Sequence, residues 1–162
     1  MNNYDNVMLI SADVYSVIKS MNDKGWKTLR ESSINRIIYL TAILFTFMYE
    51  NEKNIFEDTY KFSITISGPE DSNISKAIIN LESNYAISSN NEGLFIFDKE
   101  YIFKFKDYPL FDKKSRWIED ISYIIGFKRI YYFAYCFYFF LFMSRNTILI
   151  FRFITIFFSF FF

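Results

Sequence analysis

Apolar positions along most of this chain recur at two spacings, three to four residues in some stretches and two in others, and these spacings define the expected elements. Val14, Val17, Ile18 and Met21 fall on one helical face, with Ser11 placed to cap the helix, Asp13 in its first turn and Gly25 closing it. Residues 26–31 read as a short turn or strand. Ser32 or Ser33 can cap a second helix from Ile34 to about Tyr49, apolar nearly all round and therefore expected at the centre of the core or at a dimer interface. The acidic run Glu50–Asp58 reads as a solvated loop. Tyr60, Phe62, Ile64 and Ile66 then alternate with Lys61, Ser63, Thr65 and Ser67, which predicts a half-buried strand ended by Gly68-Pro69.

Asp71 or Ser72 can cap a short helix with Ile74, Ala77, Ile78 and Leu81 as its apolar stripe. A hairpin follows, 85–88 leading to the tip Asn90-Asn91-Glu92-Gly93 and 94–97 returning, with Gly93 where a positive φ is wanted. Tyr101, Phe103 and Phe105 alternate as an extension of the sheet, and Trp117, Ile118, Ile121 and Ile125 mark a last helix over 112–125. Helix, strand and wing in this order predict an α+β fold of the winged-helix type over residues 1–126.

From Ile130 to Phe162 the pattern changes to Phe, Tyr, Ile and Leu, with Arg145 and Arg152 as the only charges and no carboxylate. Ile130, Phe133, Phe137, Phe140, Phe142 and Ile148 typify this tail. Residues 130–148 approach the roughly 20 apolar residues a membrane-spanning helix needs. Lys128 and Arg129 before them would favour a cytoplasmic domain anchored in the inner membrane. Twelve of the last 30 residues are Phe, however, where natural spans favour Leu, Ala and Val, so translation that left its frame near Phe127 accounts for residues 127–162 equally well. The nucleotide sequence across Phe127 separates the two.

Charge and chemistry narrow the function. The chain has 18 basic and 18 acidic side chains, and with two of the Arg in the tail the remainder carries a net charge of about −2, which gives no electrostatic reason to seek nucleic acid. There is no His, and Cys136, the single Cys, lies in the tail, so a disulfide or a His or Cys metal site is not expected. No phosphate-binding Gly loop or nucleophile elbow is present, and the acidic pairs Glu57-Asp58, Glu70-Asp71 and Glu119-Asp120 are sequence neighbours that point apart on a helix. A non-catalytic role without cofactor is expected. On the helix before the wing, Ser75, Lys76, Asn80 and Glu82 are the expected outward positions, flanked by Glu70, Asp71, Glu92 and Asp98. One Lys among these acids suits protein contact better than DNA, although Ser75, Lys76, Asn80 and Asn91 remain the candidates for either. The basic residues Lys104, Lys106, Lys113, Lys114, Arg116, Lys128 and Arg129, with Phe105, Tyr108 and Trp117 interleaved, could touch nucleic acid or anionic lipid, but a solvated helix start and juxtamembrane charge explain them more simply.

The stretches GWKTLRESSINRIIYLTAILFTFMYE and YKFSITISGPEDSNISKAIINLESNYAI resemble the middle components of bacterial ABC-type three-component systems. The turn Ser67-Gly68-Pro69-Glu70-Asp71 is the most local part of the likeness, and a weaker one runs to Panacea-type antitoxin domains. The resemblance covers about residues 5–126 and implies a bridging subunit between an ATPase and an effector of the same operon, with a DNA-binding regulator or antitoxin as the alternative. A small membrane protein with an incidental soluble part is the third reading.

Overall fold

A computed structural model describes residues 3–126 as an α+β fold of four α-helices, a 3₁₀ helix and two small antiparallel hairpins. The tail residues 127–162, with Ile130, Phe133, Phe137, Phe140, Phe142 and Ile148, lie outside the described residues. Among the described residues no helix is long and apolar enough to cross a membrane.

Helix α1 spans Asn3–Asp23, so it begins well before the expected cap. Ser11 sits in its interior, buried, its hydroxyl donating to the Val7 carbonyl at 2.9 Å, and Asp13 is likewise interior rather than in a first turn. Every residue from Ile10 to Ile18 is buried, because α1 packs against all three other α-helices. That makes α1 the central helix. Helix α2, Glu31–Met48, buries Ile34, Ile37, Ile38, Leu44 and Phe45 but exposes Arg36 and Thr46, so it is one-sided instead of apolar all round. Neither Ser32 nor Ser33 caps it; the N-cap is Arg30, in extended conformation and without a side-chain bond.

The alternating stretch ends sooner than its pattern suggests. Strand β1 is only Ser63–Thr65, paired with β2, Gly68–Glu70, in the register Ser63↔Glu70 and Thr65↔Gly68. Gly68-Pro69 therefore forms the return strand instead of ending the first. Gly68, at φ +114, and Thr65, whose hydroxyl donates to the Gly68 carbonyl at 2.9 Å, turn the chain back before it reaches the core. Pro69 is buried, whereas Ile64 and Ile66 are 69% and 109% exposed, contrary to the half-buried strand expected there.

Helix α3, Ser72–Ser83, is capped by Asp71, whose carboxylate accepts from the Asn73 amide at 2.8 Å and from the Lys61 amide at 2.6 Å. The Asp71 amide in turn donates to the buried Asn35 side chain of α2 at 3.0 Å. Loss of a cap costs about 1 kcal/mol and up to about 2, and this one also ties the chain at Lys61. Asp71→Ala is accordingly expected to destabilise by about 2 kcal/mol in thermal unfolding, a loss below half that value disproving the dual role.

Strands β3, Ile87–Asn90, and β4, Gly93–Ile96, form the second hairpin. Asn90 Oδ1 organises its tip by accepting from the amides of Glu92 and Gly93 at 2.9 and 3.0 Å. Leu29 and Leu94 exchange two backbone hydrogen bonds of 2.8 Å, so the segment before α2 lies along β4 as a third, one-bridge strand.

The expected strand at 101–105 is instead a 3₁₀ helix, Lys99–Phe105, capped by Asp98. Tyr101 and Phe105 point inward against Tyr15 while Phe103 is exposed, which an extended chain could not arrange because all three would share one face. Helix α4, Phe111–Gly126, covers α1 and α2 with Ile118 and Ile121, and Trp117 Nε1 donates to the Thr41 carbonyl at 2.9 Å.

Candidate protein-contact surface

Helix α3 buries Ile74, Ala77, Ile78 and Leu81, which leaves Ser72, Lys76, Ile79 and Ser83 along its outer side. Ile79, which sequence spacing did not single out, is 63% exposed there. Lys76 is exposed and its ammonium donates to Asn73 Oδ1 at 3.2 Å. Ser75, at the margin, donates its hydroxyl to Glu31 Oε1, which brings the first acid of α2 to this surface.

Asn80 is turned inward. Its amide donates to the Ser11 hydroxyl at 3.1 Å and lies 3.4 Å from Met8 Sδ, and its own carbonyl receives the Asn84 side chain at 2.8 Å. It fastens α3 to α1. Glu82 is partly covered as well. Two of the flanking acids are also occupied: Asp71 by the cap, and Asp98 by the Glu100 amide at 2.9 Å, while the Asp98 carbonyl accepts from Tyr15 Oη at 2.7 Å. Burial, with Asp98 nearby, pushes the Tyr15 phenol up to about 12.

At the other hairpin, Asn91 and Glu92 are exposed at the tip. Gly93, at φ +146, lets the tip lie against the chain before α2: a Cβ there would meet Leu29 O at 2.6 Å. Gly68 plays a lesser part, its missing Cβ facing the Arg36 side chain, whose Nη2 donates to Ser67 O at 2.8 Å. The structure thus brings Ser75 and Lys76 onto one outward face and leaves Asn91 on the hairpin tip, while Asn80, Gly68, Pro69 and Gly93 act in holding the backbone.

The most polar interior feature was not expected from sequence. Asp13 of α1 and Lys114 of α4 form an ion pair of 3.0 Å with side chains 2% and 6% exposed. Tyr60 donates its hydroxyl to the same Asp13 oxygen at 2.7 Å, and Lys114 also donates to Thr59 Oγ1 at 3.2 Å. The Lys114 ammonium stands 5.0 Å from the Phe56 ring centroid. Burial raises the Asp13 carboxyl above its ordinary range against the opposing pull of Lys114, and burial together with Asp13 raises the Tyr60 phenol. Lys114 is therefore an interior residue, not part of a solvated basic helix start. Each member has its partners within the cluster, which lies apart from the outward face of α3. Asp13 adjoins the apolar Val14 in the sequence, but its expected place in a first turn concealed its burial.

Comparison with protein families, with curated proteins and with solved structures gives no match.

Proposed function

We propose that this chain is a non-enzymatic protein-interaction subunit with a winged-helix arrangement, whose contact surface is the outer side of α3 together with the β3–β4 wing. The order α1, bridging strand at Leu29, α2, the small β1–β2 hairpin, α3 and the β3–β4 hairpin supports the winged-helix reading, as does the pairing of Leu29 with the returning wing strand. The observation that carries the function is Ile79: an exposed aliphatic side chain on a face otherwise made of Ser72, Ser75, Ser83 and one Lys. A helix that enters the major groove needs Arg and Lys for phosphates and polar side chains for base edges. Contact with another protein, by contrast, favours an apolar centre and a polar rim.

The resemblance of residues 5–126 to middle components supports an ATPase or effector of the same operon as the partner. Co-purification from that operon tests the reading. The neighbouring ATPase is expected to come down with the wild type and to be reduced at least tenfold by Ile79→Arg, about 1.4 kcal/mol or more of binding. As a surface change, Ile79→Arg should leave stability within about 0.5 kcal/mol. An ATPase that stays behind with the wild type overturns the proposal. Lys76, exposed on the same helix, favours the DNA-binding reading to a lesser degree. A salt-dependent mobility shift lost on Lys76→Glu would move the assignment there.

A further inference from the structure

Residues of α2 and of the chain that follows it border an open groove of about 450 Å³, within the roughly 300–1,000 Å³ range of ligand-binding clefts. Its floor is apolar and aromatic. Half-buried Tyr39, Ile43 and Phe62 lie at its surface over buried Phe56 and Tyr60. Tyr39 meets Phe62 edge to face at 5.1 Å between centroids, and Phe62 stacks on Tyr60 at 5.5 Å, so the aromatic surface is fixed by packing.

The rim is acidic. It carries Glu50, Glu52 and Glu57 against a single Lys53. Lys53 is already paired with Asp58, and Glu52 with Lys113, whereas Glu50 and Glu57 form no ion pair among the described residues. Exposed carboxylates beside aromatic rings complement a guanidinium, which stacks on a ring face and forks to a carboxylate where an ammonium does neither as well. The same charges repel phosphate, and the openness of the groove along the surface suits a chain segment more than an enclosed small molecule.

We infer that this groove is a second docking site, for a segment of a partner protein in which Arg stands beside a large aliphatic or aromatic residue: the Arg meets Glu50 and Glu57, and its neighbour covers Tyr39, Ile43 and Phe62. It goes beyond the α3 surface and does not depend on it. Two separate contact sites on one chain are what a bridging subunit requires.

The test uses a random-peptide display library panned on the full chain in neutral detergent, followed by affinity measurements on selected peptides. Selected sequences are expected to be enriched in Arg next to Leu, Phe or Trp. Binding should fall at least tenfold on Glu50→Lys with Glu57→Lys, and at least tenfold when the peptide's Arg is replaced by Glu. Lys53→Glu, which adds a carboxylate to the rim, should strengthen binding two- to threefold, an opposite sign that misfolding cannot mimic. Ile79→Arg should leave peptide binding unchanged, which separates failure of this site from failure of the α3 reading. Peptides without a basic residue, or affinities equal for wild type and the double Lys variant, overturn the proposal. So does a self-association in sedimentation that the double variant abolishes, which would make a second copy of the chain the occupant.

Discussion

Lys114→Met is expected to lower stability at pH 7 by about 3–5 kcal/mol, because it leaves the Asp13 carboxylate buried with only the Tyr60 hydroxyl beside it. The double change Asp13→Asn with Lys114→Met should recover most of that loss and come within about 1–2 kcal/mol of the wild type, since no charge then remains in the interior. Urea titration followed by the fluorescence of the two Trp residues measures both. A cost below about 1 kcal/mol for the single change, or a double variant as unstable as the sum of its parts, would show that the pair is not the coupled unit its geometry implies.

The pH dependence of that variant has a definite sign. The Asp13 carboxyl in the folded protein is raised above its ordinary value of 3.8 by burial, and without Lys114 only the Tyr60 hydrogen bond still pulls it down. The folded state then holds the proton more tightly than the unfolded state. Its stability is fully present below the unfolded value and is lost as pH rises through the raised folded value. The deficit of Lys114→Met relative to wild type should therefore shrink on acidification toward pH 3.8.

The second large effect is expected at Gly93. In Gly93→Ala the new Cβ would lie 2.6 Å from Leu29 O and 2.8 Å from Leu29 C, both backbone atoms that cannot rotate away, at a φ of +146. Strain of this kind costs of order 1–3 kcal/mol, and the clash must also part the Leu29–Leu94 bridge. The total is expected to be about 3 kcal/mol or more, a Tm lower by about 10 °C. Gly25 provides the comparison. Its φ of +88 also favours Gly, yet nothing lies within 4 Å of a Cβ built there, so Gly25→Ala should cost only about 1 kcal/mol. Equal losses at the two positions in thermal scans would show that backbone conformation, and not the approach to Leu29, decides both.

How far the fold could be read from the chain depended on whether the deciding contact was local. The stripe Ile74, Ala77, Ile78, Leu81 with Asp71 before it contains both its burial and its cap, and α3 forms as expected. The tip from Asn90 to Gly93 is equally self-contained. Ser11 misled because a good cap residue can also sit in a helix interior and bond back to the carbonyl four residues earlier. Tyr101 and Phe105 satisfy a two-residue and a four-residue spacing alike, and only Phe103 pointing outward distinguishes them. For Ile64 and Ile66 the alternation was real, but periodicity reports which side a residue is on, not whether anything covers that side. On the candidate surface, Lys76 and Ser75 were legible, whereas Ile79, which lies off the stripe, was not among the outward positions because these were picked for polar side chains.

The bond between Asp13 and Lys114 joins positions 101 residues apart. A chain emerging from the ribosome at about 5–20 residues per second presents its central helix roughly 5–20 seconds before the partner of Asp13 has been made. During that interval the Asp13 carboxylate lacks its ammonium partner, with Tyr60 the earlier of its two donors to be made, and α4, which covers α1 and α2, does not yet exist. The fold of residues 3–126 is consequently expected to close last at α4, and a nascent chain stalled before Phe111 to stay accessible to chaperones that bind exposed apolar helices.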